Sequence, residues 1–72
     1  MKDRLGNTMR AARKASNMTQ KQMAQAVGVS HITVSFWENG KSTPSFEALQ
    51  KWYDALPPIG KGIMRGFVLF VE

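Results

Sequence analysis

Apolar residues recur along this chain in short runs at helical spacing, each set off from the next by turn and capping residues. Leu5, Met9 and Ala12 form the first stripe and predict a helix over about residues 4–16. Met23, Ala24 and Val27 face inward on a second helix, residues 19–27, and Val34 and Trp37 on a third, residues 30–39. A fourth helix starts at the Ser45 cap, gathers Phe46, Leu49, Tyr53 and Leu56 on one face, and ends at Pro57 and Pro58. Between the third and fourth, NGKSTP is a loop, because Gly40 can close a helix in the left-handed region and Pro44 blocks continuation. Beyond Pro58 two patterns compete. Ile63, Met64, Phe67, Val68 and Val71 fit a helix, whereas FVLFV at 67–71 also fits a β-strand. Glycines 60, 62 and 66 each weaken a helix by roughly 1 kcal/mol relative to alanine. A lone strand has no partner in an otherwise helical chain, so a fifth helix is the expectation and a short strand the alternative.

The boundary between the second and third helices is the most densely specified stretch. Thr19 caps the second helix, Gln22 completes a capping box, and Met18 and Met23 stand at the spacing of a hydrophobic staple. Gly28 supplies the positive φ of a tight helix-to-helix turn. Ser30 caps the third helix, and Val29 and Val34 repeat the staple. Two helices joined over one glycine in this way form a helix-turn-helix at 19–39, whose second member, 30–39, is built to enter a DNA major groove.

Charge strengthens that picture. Of the net +5, residues 1–36 contribute all: they hold Lys2, Arg4, Arg10, Arg13, Lys14 and Lys21 against Asp3 alone, while residues 37–72 carry four basic and four acidic groups. A one-sided excess raises encounter rates with nucleic acid and favours phosphate neutralisation. With 72 residues, the chain is too small to enclose a catalytic cleft beside its core, and 43% hydrophobic residues are enough for a compact helical core. One histidine, five scattered carboxylates and no cysteine assemble no triad, metal set or acid–base pair, so no enzyme, metal or cofactor is expected. GKG at 60–62 lacks the spacing and preceding strand of a phosphate loop. The first ten residues are charged with no apolar stretch behind them, which predicts no signal peptide and a cytoplasmic protein.

On a helical wheel, placing Val34 and Trp37 inward turns Ile32, Ser35, Phe36 and Asn39 outward, with His31 at the edge of that face. Ile32 and Phe36 are poor choices for a face that meets only water, but they suit packing against thymine methyls. Ser35 can exchange hydrogen bonds with a base edge, Ser30 sits at the helix start, and His31 can bond guanine or a phosphate. The plainer alternatives are a solvated His31 and a Phe36 covered by the tail or a second subunit. Arg10 and Lys14, one turn apart on the first helix, read as long-range attraction for DNA.

The run from Leu5 to Trp52 resembles the Cro/repressor (XRE-like) helix-turn-helix family of phage, plasmid and bacterial regulators. The resemblance rests on Arg13, Thr19-Gln20, Ala24, Gly28-Val29-Ser30, Val34, the WENGK run at 37–41 and Pro44-Ser45. It covers roughly residues 5–56 and implies a lambda-repressor-like, all-α domain of four or five helices over residues 1–56; the segment 57–72 is too apolar to sit in water, so it completes the core or forms a dimer interface. It further implies phosphate contacts from Gln20, Lys21, Asn39 and Lys41, with Gln20 also bracing His31. Arg13 and Glu38 become a structural ion pair locking helix one to the end of helix three. Many relatives carry glutamine or arginine where this chain has His31. The expected protein is a homodimeric repressor on a palindromic double-stranded operator, with Ile63, Met64, Phe67, Val68 and Phe70 at the dimer interface. Two alternatives stand beside it. One is an antitoxin-like module whose tail binds another protein, and the other is an interaction domain that has lost DNA binding.

Overall fold

The computed structural model describes residues 2–65, which form five helices: α1 (Lys2–Ala15), α2 (Gln20–Val27), α3 (His31–Glu38), α4 (Phe46–Ala55) and α5 (Pro58–Met64). Each junction has a local cause. Asn17 closes α1 from the left-handed region (φ 58°), where asparagine is tolerated better than most residues; its N–H reaches the Lys14 carbonyl at 3.0 Å. The capping box at Thr19 forms in full: the hydroxyl accepts from Gln22 N–H at 3.0 Å, and the Gln22 side chain accepts from Thr19 N–H at 2.8 Å. Gly28 takes φ 87° and donates to the Ala24 carbonyl at 2.8 Å, so the chain turns without a β-carbon penalty. Ser30 and Ser45 cap α3 and α4 by accepting from Thr33 N–H and Ala48 N–H. Pro58 opens α5 at its first position, where no N–H is missed.

α1 lies against α3 and α5, α2 against α3 and α4, and α4 against α5. Met9, Ala12, Met23, Ala24, Val27, Val34, Trp37, Trp52, Tyr53, Leu56 and Met64 make the core, as most of the inward positions predict. Two expectations on α4 and α5 need correction. Phe46 does not share the buried face: it stands at the first position of α4, one turn short of the core, and is 65% exposed. Its place is taken by Trp52, which lies three residues after Leu49 and four before Leu56, hence on the same stripe. Met64 is wholly buried in its own subunit, so the core-completing role holds for it rather than a place on a dimer surface. Residues 58–64 are helical, not extended. Phe67, Val68 and Phe70, also assigned to a dimer interface, lie outside the described residues.

Two glycines set how closely helices approach. A β-carbon on Gly6 would stand 2.6 Å from the Trp37 carbonyl oxygen and 2.7 Å from that of Glu38, so α1 crosses the end of α3 with no room for a methyl group. One on Gly60 would meet Ser16, Leu56 and the Ala12 carbonyl, which explains a glycine inside α5. Gly62 has nothing within 4 Å of that position. Gly62→Ala is therefore expected to stabilise the fold by up to about 1 kcal/mol through helix propensity. Gly6→Ala should cost about 1–3 kcal/mol as overpacking against fixed backbone. Urea denaturation of both variants checks the contrast; equal stabilisation by the two would refute the close crossing.

Candidate nucleic-acid interface

The capped α2, its left-handed glycine and the capped α3 hold a helix-turn-helix with α3 displayed along one side. Val34, Trp37 and Glu38 point into the molecule. That rotation leaves Ile32 56% and Phe36 45% exposed, with Ser35 half-buried between them and Ser30, His31 and Asn39 at the surface. The Ser30 hydroxyl already caps the helix and lies 3.1 Å from the Thr33 hydroxyl. Lys41 folds its ammonium over the Phe36 ring, 5.8 Å from the centroid, so this lysine sits beside the apolar edge of the face. Lys21 and His31 line the same shallow hollow between α2 and α3. Residues 19–41 contain a single carboxylate, Glu38, and it is 1% exposed. No acidic group of the motif therefore confronts a polyanion laid along α3.

Behind that face lies a buried charge network. The Arg13 guanidinium grips Glu38 with two bonds, Nε to Oε2 at 2.6 Å and Nη2 to Oε1 at 3.0 Å, and its Nη1 donates to the Met18 carbonyl at 2.8 Å. Arg13 is 7% exposed. The pair joins α1 to the end of α3, as the family resemblance implies. Gln20 Nε2 donates to Glu38 Oε1 at 3.2 Å, so its amide is held by the ion pair and does not brace His31. Arg10 also departs from expectation. It serves as a structural clamp rather than a freely solvated charge: Nε lies 3.5 Å from Glu38 Oε1, and Nη2 donates to the Glu38 carbonyl at 3.3 Å and to Asn39 Oδ1 at 2.7 Å. Asn39 Nδ2 in turn donates to Ser35 Oγ at 3.2 Å. Arg10 stands three residues before Arg13 and shares its side of α1, which was the available signal in the sequence.

An all-helical domain with a capped helix-turn-helix, an outer α3 face free of acidic groups and flanking lysines is the arrangement of a DNA-binding module. Known proteins agree: the helix-turn-helix family matches residues 9–57, and the chain belongs to that family of DNA-binding transcription regulators. It is 43% identical over 56 residues, 78% of its length, to the cryptic phage CTXphi transcriptional repressor RstR of Vibrio cholerae serotype O1. It is 42% identical over 41 residues, 57% of its length, to the HTH-type transcriptional regulator DicA of Escherichia coli. The matched segments cover 46% of RstR and 30% of DicA, so the chain spans half or less of these relatives. No solved structure shows significant similarity to it.

Proposed function

We propose that this chain binds double-stranded operator DNA as a homodimer and represses transcription, with α3 reading the major groove. The outward side of α3 carries the reading: two exposed apolar side chains, Ile32 and Phe36, flank a hydroxyl and face no carboxylate of the motif. In a groove they pack on thymine methyls, while Ser30, His31 and Ser35 meet base edges. Gln20, Lys21, Asn39 and Lys41 bond phosphates and fix the register, aided by the N-terminus of α2. One module of this size buries too little surface for strong site selection, and a second copy on a palindrome supplies the rest. Ile59 and Ile63, one turn apart on α5 and 61% and 38% exposed, offer the apolar surface for pairing. Half-sites then lie about one helical turn, roughly 10 base pairs, apart.

Binding of matched and scrambled duplexes at several salt concentrations tests this. Ser35→Ala or Ile32→Ala should cost about 1–3 kcal/mol on the selected operator and nothing on scrambled DNA. Lys41→Ala should weaken both alike and reduce the salt slope by about one. The reading fails if Ser35 and Lys41 variants behave identically. The exposed isoleucines of α5 also favour a second reading, an antitoxin-like regulator gripping a different protein there. Mass in solution separates the two, since a stable dimer of the chain alone supports the plain repressor.

A further inference from the structure

Ser35 is placed to read a base, and the bond it accepts decides how it reads. Arginine has only donors, so the Asn39 atom facing Arg10 Nη2 at 2.7 Å must be the carbonyl oxygen. That fixes the amide: Nδ2 points the other way, to Ser35 Oγ at 3.2 Å. Ser35 therefore accepts from Asn39, and its own hydrogen makes no bond among the described residues. A hydroxyl that accepts one bond is polarised to donate the next. Arg10 is itself fixed by Glu38 at two points, the carboxylate and the carbonyl. The chain of bonds thus runs from a buried carboxylate, through helix one, to the centre of the reading face.

We infer that Arg10, acting through the Asn39 amide, is a positioning residue that sets Ser35 as a hydrogen-bond donor, and so selects a base with a major-groove acceptor. This rests on the duplex-reading role of α3 proposed above. Guanine offers two acceptors for the Ser35 hydrogen, whereas cytosine could only donate to the remaining lone pair and would leave that hydrogen without a partner, so guanine should be favoured over cytosine at the base Ser35 meets. The second hydrogen of Asn39 Nδ2 stays available to a phosphate, so this role and backbone contact are compatible.

The decisive variant is Asn39→Asp. A carboxylate at that position still pairs with Arg10, but it can only accept. Ser35 must then donate inward, leaving lone pairs toward the base, and the guanine preference should invert toward cytosine. Selection from a random duplex pool, followed by titration of the two matched duplexes, reads the ratio directly. Arg10→Met frees the amide to turn and should bring a preference of tenfold or more down to within about threefold of unity. Arg10→Lys, which still only donates, should restore most of it. Ser35→Ala should abolish the preference in every background, and thermal melts confirm that each variant is folded. Position 39 is exposed, so its variant remains informative if Arg10→Met melts early. The inference is overturned if Arg10→Met keeps the parent's ratio, or if Asn39→Asp weakens all duplexes equally without changing it. Failure of the parent to bind any duplex in a salt-sensitive way removes the repressor reading and this inference together. A parent that binds selectively while its Arg10 and Asn39 variants select identically removes this one alone.

Discussion

Glu38→Ala is expected to lower stability by about 3–5 kcal/mol, because it strands the buried Arg13 guanidinium without its counter-charge. Glu38 is 1% exposed and receives two bonds from Arg13, one from Gln20 and a longer contact from Arg10. A domain of this length has a total stability of about 4–11 kcal/mol, so the loss approaches the whole. Since each kcal/mol shifts the midpoint of so small a domain by about 4–8 °C, the melt should fall by at least about 12 °C. Circular dichroism melts decide the matter, and a loss below about 1 kcal/mol would mean that water solvates Arg13 after all. The same logic makes the double variant Arg13→Met with Glu38→Leu recover much of the loss, since an apolar pair leaves no charge buried. That variant should nonetheless bind its operator less selectively than the parent, for Arg10 would have lost the carboxylate that holds it.

The ion pair therefore has two separable consequences. It closes α1 on the end of α3, with Gly6 permitting the approach. It also anchors Arg10, whose far side reaches Asn39 and, through it, Ser35 on the outer side of α3. With α3 reading DNA as proposed, stability and recognition share one carboxylate, so substitutions around Glu38 should disturb both, whereas those at Ser35 or Ile32 should disturb recognition alone.

The sequence carried the fold most clearly where several local signals agreed. Thr19 with Gln22, Gly28 and Ser30 each specify a boundary through bonds within four residues, and all three boundaries stand where those signals put them. Local pattern also exposed Ile32 and Phe36, since burying Val34 and Trp37 leaves no other orientation. What it could not convey were contacts between distant segments. Arg10 on its own helix is a cation facing water; only the arrival of residues 38 and 39, 28 and 29 positions later, makes it a clamp. Gly6 looks like a flaw in a helix until the carbonyls at the end of α3 are seen over it. Trp52 is hard to pick out for a related reason: Phe46 offers an equally apolar start to the α4 stripe, and nothing local says that this first residue of the helix stays exposed while Leu49 packs on the core.

Trp52 is also where the second large effect is expected. Its side chain is wholly buried and meets Trp37 edge to face, with ring centroids 6.2 Å apart, so it supports the end of α3 from beneath. Trp52→Ala should cost about 3–5 kcal/mol through lost burial and the cavity left behind. Yet the indole N–H of Trp52 is buried with no acceptor among the described residues. An orphaned donor of this kind costs about 1–3 kcal/mol in desolvation, which the indole's packing must exceed. Trp52→Phe removes that donor while keeping a ring against Trp37, so the recovered desolvation offsets much of the lost contact area. Its expected cost is below about 1.5 kcal/mol, far from that of alanine. Urea denaturation of the two variants provides the comparison. If phenylalanine proves as costly as alanine, the indole N–H has a partner in the folded protein, and the packing of α3 on α4 depends on that bond as well as on apolar contact.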